Sequence, residues 1–193
     1  MKNEINRIAG RLVKAFNTNT VINPIPVKYC KNINLANKLR KLCEDQIKDE
    51  TIGIKAGGTG IQALKKLKEK EPFTAKVFKK RLVKSGQKVK INQHTKGIEV
   101  EVYYFIKKSF FDFKGKVTKS NVNKFIKFMG PCFEIVGFRQ RNKKFIYLGD
   151  ICGDFGFNIK FVVGRKTKFK KLNLNNLKTS LVSKKNGVKV NGN

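Results

Sequence analysis

The spacing of the apolar residues changes part-way along this chain, and that change limits the fold more than any other feature. Ile5, Ile8, Leu12, Val13 and Phe16 recur at helical spacing. Residues 17–26 break the pattern with Asn23-Pro24 and Ile25-Pro26. A second helix is predicted over residues 34–48, with Leu35, Leu39, Leu42, Cys43 and Ile47 on one side. Residues 51–56 are short and apolar, Gly57-Gly58-Thr59-Gly60 reads as a tight loop, and 61–70 is helical again. After Pro72 the texture becomes mostly that of strands, predicted at 75–83, 88–91, 98–106, 133–138, 145–152 and 159–163. One helix is expected among them at 120–129, capped by Ser120, with Val122, Phe125, Ile126 and Met129 facing inward. Beyond Lys166 the chain is polar and basic, with a last short strand near 180–188, and its tail reads as frayed.

These elements define an α+β class: a helical segment over residues 1–50, then a β-rich part over 51–193. With 193 residues and 40% hydrophobic content, the two are expected to form one structural unit.

No run approaches the roughly 18 uncharged apolar residues of a spanning helix, and the first residues mix acid and base, so the chain reads as cytoplasmic and unprocessed. Cys30, Cys43, Cys132 and Cys152 stand singly and His94 is alone, which argues against zinc and against a disulfide framework. The net charge of +31 points to an anionic partner, nucleic acid or a membrane surface. Its distribution weakens that reading. The cations are spread along the whole chain, seven of them Arg and the rest Lys, among many Asn, Ile and Phe, as an AT-rich coding sequence favours. Bidentate base and phosphate recognition leans on Arg, so the sequence favours a solvated basic surface over nucleic-acid binding. Coding bias toward Lys does not explain why there are only 13 acids.

Glu99 and Glu101 lie two apart in a predicted strand, so both carboxylates point to one side, about 7 Å apart. Alone, such a pair reads more readily as a solvated strand face salt-bridged to lysines than as a metal site. Glu134 adds weight, because Pro131-Cys132-Phe133-Glu134-Ile135-Val136-Gly137-Phe138 is apolar and a carboxylate buried there is costly unless paired, protonated or bound to metal. Three carboxylates without His or Cys suit Mg²⁺, Mn²⁺ or Ca²⁺, and so few protein ligands leave positions for water and substrate.

Four segments, Gly53-Ile54-Lys55-Ala56-Gly57-Gly58-Thr59, Ile98-Glu99-Val100-Glu101, Pro131-Cys132-Phe133-Glu134-Ile135-Val136 and Asp150-Ile151-Cys152-Gly153-Asp154, occur in the order and spacing of one family. Over residues 51–164 the chain resembles the 2-keto-4-pentenoate hydratases of the fumarylacetoacetate hydrolase superfamily. The resemblance implies N-terminal helices followed by a mixed, β-rich roll or barrel. It implies Mg²⁺ or Mn²⁺ on Glu99, Glu101 and Glu134, and Lys55 as the catalytic lysine beside the metal. It also implies that the loop Gly57-Gly58-Thr59 helps seat a small 2-oxo acid. The implied reaction is addition of water to a 2-hydroxy-dienoate; relatives decarboxylate or hydrolyse carbon–carbon bonds, and they are commonly homo-oligomers.

The departures matter too. Where the family has an aspartate and a glycine after the proline, this chain has Phe73 and Thr74, so a proton-transfer partner is missing. Phe155 replaces the asparagine that follows the Asp-x-x-x-Asp run. The family chain continues beyond the equivalent of Asn193, so a barrel incomplete at the C-terminus is expected. A non-catalytic or truncated relative that binds metal and a 2-oxo acid is therefore a second reading. A third takes Gly58-Thr59-Gly60-Ile61-Gln62-Ala63 as the start of a dinucleotide loop, but the acid expected roughly 20 residues on is absent.

Overall fold

The computed structural model describes residues 2–91, 94–141, 144–173, 176–183 and 187–192. The chain forms two compact units whose segments interleave: Met1–Val83, Lys88–Gly97 and Ile135–Phe161 in the first, and Lys84–Gln87, Ile98–Glu134 and Val162–Asn193 in the second.

The first unit opens with α1 (Lys2–Thr18), the short α2 (Lys28–Lys31) and α3 (Ile33–Asp45). The side chain of Asn32 caps α3 by accepting from the amides of Asn34 and Leu35. The helical spacing read from the sequence buries Ile5, Ile8, Leu12 and Phe16 of α1 against Leu39 and Cys43 of α3, with Ile25, Tyr29, Phe78 and Phe155 completing the core. Next comes an antiparallel pair, β1 (Thr51–Gly57) and β2 (Phe73–Phe78), joined through α4 (Ile61–Lys66). A second apolar cluster gathers Phe73 and Ala75 of β2, Ala36 of α3, and Leu148 and Cys152.

The larger sheet has the strand order β3 (Leu82–Lys84), β6 (Asn158–Val163), β5 (Ile126–Gly137), β4 (Thr95–Ile106), and β7 (Thr167–Lys168) also pairs with β5. A separate hairpin joins β8 (Thr179–Val182) to β9 (Lys189–Gly192).

Several expectations are corrected. The strand predicted at 75–83 is interrupted by a 3₁₀ turn, Lys79–Arg81, because the chain turns there to bury Arg81. The Arg81 guanidinium stacks 3.8 Å from the centre of the Phe16 ring and donates to the Phe16 carbonyl and the Asn19 side chain at the end of α1. Residues 88–91 have no regular structure. The helix predicted at 120–129 is a 3₁₀ turn, Val122–Phe125, that runs straight into β5. Its apolar residues fit either period, and pairing of Phe128 and Met129 with β7 decides for the strand. The strand predicted at 145–152 is instead the helix α5 (Leu148–Gly153), whose start is fixed by Asp150 Oδ2 accepting from the amides of Ile146 and Tyr147, each at 2.9 Å. The basic tail folds back: β7 lies on β5, and the alternating Thr179–Val182 finds a partner in Lys189–Gly192.

Candidate metal centre

Glu99 and Glu101 both project from β4, and Glu134 projects from the neighbouring β5. All three belong to the second unit. Glu134 is 2% exposed, whereas Glu99 and Glu101 face solvent. One carboxylate oxygen from each lies within 4.8 Å of the others. Oxygen ligands of a hard divalent ion sit at about 2.0–2.6 Å from it, so two ligands of one ion are at most about 5 Å apart. A spacing within 4.8 Å meets that limit at Ca²⁺ distances, whereas Mg²⁺, with oxygens at about 2.0–2.1 Å, would draw the exposed Glu99 and Glu101 side chains in to about 4.2 Å; the donor set is the all-oxygen one such ions take.

The electrostatic setting sharpens the point. The second unit contains only four acids, Glu99, Glu101, Asp112 and Glu134, against seventeen Lys and Arg. Acids placed only for salt bridging would be dispersed among so many cations, since like charges at close range repel. Here three of the four converge. Cys132, two residues before Glu134, is buried; burial, with smaller contributions from Glu134 and Glu101, pushes its thiol up to about 11. Tyr103, two residues after Glu101, donates its hydroxyl to the Gly164 carbonyl at 3.2 Å and pins β4 beside the cluster. Neither Cys132 nor Tyr103 carries a role in the sequence reading, and nothing in their spacing alone would have assigned one.

Lys55 and the loop Gly57-Gly58-Thr59 belong to the first unit. Lys55 lies on β1, half-buried, and its ammonium donates to the Gly156 carbonyl at 3.0 Å. Gly58 adopts φ +71°, and a Cβ there would stand 2.9 Å from a Leu148 methyl group, so both conformation and space call for glycine. Thr59 is exposed. Phe73, where the resemblance leads one to expect an aspartate, is a core residue whose ring fills the space beside Gly57 and Gly156. Asp154 is a structural anchor: its carboxylate pairs with the Arg139 guanidinium at 3.0 Å and accepts the Arg139 amide at 2.7 Å, with both side chains buried. The dinucleotide reading fails on topology, because β1 pairs antiparallel with β2 in place of the parallel βαβ unit it requires.

No family model matches the chain, and no curated protein matches it in sequence. Among solved structures, the chain is similar to 4-oxalocrotonate decarboxylase from Pseudomonas putida G7 complexed with magnesium and adipate. That likeness has a TM-score of 0.74 at 15% identity, over 98% of this chain and 73% of that one. It is similar also to the same decarboxylase complexed with calcium and acetate, with a TM-score of 0.76 at 16% identity, over 98% of this chain and 72% of that one. At these identities the likeness speaks to the fold alone: helices first and a mixed, β-rich part after them, as in those two structures.

Proposed function

We propose that Glu99, Glu101 and Glu134 hold one divalent cation, Mg²⁺ or Mn²⁺, and that the chain is a metal-dependent lyase acting on a 2-oxo or 2-hydroxy-dienoate acid. The observation that carries this reading is the convergence of three carboxylates in a unit otherwise crowded with cations. The names of the two solved structures, a decarboxylase with magnesium and with calcium, support it. When bound, such a cation supplies Lewis-acid stabilisation of negative charge developing on the 2-oxygen of a chelating acid.

The remaining work falls to the chain's own residues. Glu134, buried in the middle of β5, is the rigid member of the ligand set, while the exposed Glu99 and Glu101 leave the open side to water and substrate. Proton transfer is assigned to Lys55 on the strength of the sequence resemblance; its ammonium donates to the Gly156 carbonyl at 3.0 Å, and Phe73 offers no atom that moves a proton. Hydration of the conjugated double bond is the reaction the four sequence segments favour. Decarboxylation is the second reading, favoured by the activity named for the two solved structures.

The test is direct. Ultraviolet absorbance of a supplied 2-hydroxydienoate should fall when Mg²⁺ or Mn²⁺ is present and hold steady with a chelator. Carbon dioxide release from 4-oxalocrotonate distinguishes the second reaction from the first. Lys55→Ala should reduce the metal-dependent rate by about a hundredfold or more, the usual weight of a general acid or base; an unchanged rate would remove Lys55 from the mechanism. Metal binding without turnover of either acid would leave a non-catalytic binder and overturn the enzymatic reading.

A further inference from the structure

The second unit carries a surface that the metal site does not use. Apart from Asp112, its acids are drawn into the glutamate cluster, and the rest of the unit presents lysines interleaved with phenylalanines. Phe110 packs edge-to-face on Phe111 at 5.4 Å and on Phe125 at 5.5 Å, while the Lys124 ammonium lies 4.5 Å from the centre of the Phe113 ring. A few residues on, Phe128 packs on Phe105 at 6.1 Å, with Lys127 and Lys166 over its ring. Two rings stand out in solvent: Phe111 is 72% exposed and Phe105 56%.

Exposed phenylalanine costs free energy in water, and bulk charge does not account for it. Rings with open faces set among flexible cations match one kind of partner in both respects. Unstacked bases lie on the rings and the phosphates meet the lysines, without the Arg forks that reading a base edge in a duplex demands. The sequence alone argues against nucleic acid because Lys dominates, but that objection applies to sequence-specific duplex recognition. It does not apply to stacking. A lipid surface fits less well, because a membrane-inserting face keeps its apolar groups contiguous with charges at the rim, whereas here lysines lie over and between the rings.

We infer that the Phe105–Phe128 region of the second unit binds single-stranded nucleic acid with little sequence preference, through stacking on Phe105 and Phe111 and phosphate contacts from neighbouring lysines. This binding is independent of the glutamate cluster, so its failure would leave the proposed function standing.

Fluorescence anisotropy of the whole protein with a labelled 20-nucleotide oligothymidylate tests it. Affinity should fall roughly a hundredfold between 50 and 200 mM KCl, as about five lysine–phosphate contacts on a single strand require. The single strand should bind more tightly than a duplex of the same length. Phe105→Ala and Phe111→Ala should each weaken binding by about fivefold or more, and Phe111→Trp should retain it. Both rings are exposed, so thermal midpoints should be unchanged. If either alanine variant unfolds early, Lys108→Gln and Lys114→Gln replace it, and each should shallow the salt slope by about 0.7. Equal affinity of the alanine variants, or tighter binding of the duplex, would reduce the surface to charge alone and overturn the inference. So would Phe111-dependent binding to phosphatidylserine vesicles with oligonucleotide binding unaffected by the alanine changes, which would make the partner a membrane.

Discussion

At the scale of single residues, the acids of this chain divide by what surrounds them. Asp154 is sealed against Arg139, both side chains 3% exposed or less. Asp154→Ala strands a buried guanidinium, so unfolding in urea should show a loss of about 3–5 kcal/mol. The metal response of the surviving folded protein should be retained, since Asp154 lies in the other unit from the glutamates. His94 gives a pH signature of its own. Burial is the main reason its imidazole titrates below the ordinary value, with Arg139 and Lys96 adding to the effect and a hydrogen bond with the Asn19 backbone opposing it. The unfolded chain takes up a proton near pH 6.5 that the folded chain refuses until lower pH. Stability should therefore fall as pH drops below about 6.5, by at most about 1.4 kcal/mol per pH unit from this residue. His94→Gln should flatten that part of a denaturation series; an unaltered slope would show that His94 is not its source. The convergence of the three glutamates was legible because a strand's two-residue period puts Glu99 and Glu101 on one side and an apolar run makes Glu134 conspicuous. The duties of Asp150 and Asp154 were not, since one serves backbone amides and the other a partner fifteen residues away.

At the scale of elements, α5 shows what the sequence hides. Gly149 lies against the Cys30 carbonyl of α2 so closely that a Cβ has no room. Gly149→Ala should cost about 1–3 kcal/mol in thermal or urea unfolding by forcing α5 off α2; a neutral substitution would mean the two helices are free to part. Helices α1 and α3 were readable because each repeats its apolar spacing over several turns. The predicted strand at 145–152 failed because a six-residue helix has no room to show a period, and its one signal, an aspartate three residues after the residue that precedes the helix, is easily passed over. The predicted helix at 120–129 failed for the converse reason: four apolar residues satisfied the helical template while the pairing that decided the matter came from Thr167–Lys168, some forty residues on. The hairpin of β8 and β9 was likewise a question of partners and not of propensity.

At the scale of the whole molecule, charge and fold give separate information. The fold places β4 beside β5 and so fixes three carboxylates together, in a protein where positive charge outweighs negative by 31. We propose that a divalent metal occupies this grouping of carboxylates. Thermal unfolding of wild type and Glu101→Gln during titration with Mg²⁺ or Mn²⁺ measures this most directly. At a hundredfold excess over its Kd, a bound ion stabilises the folded chain by about 2.7 kcal/mol, roughly 5–10 °C for a chain of this size. That rise is expected for the wild type and little or none for Glu101→Gln. Equal responses in the two proteins, or none in either at millimolar metal, would contradict it.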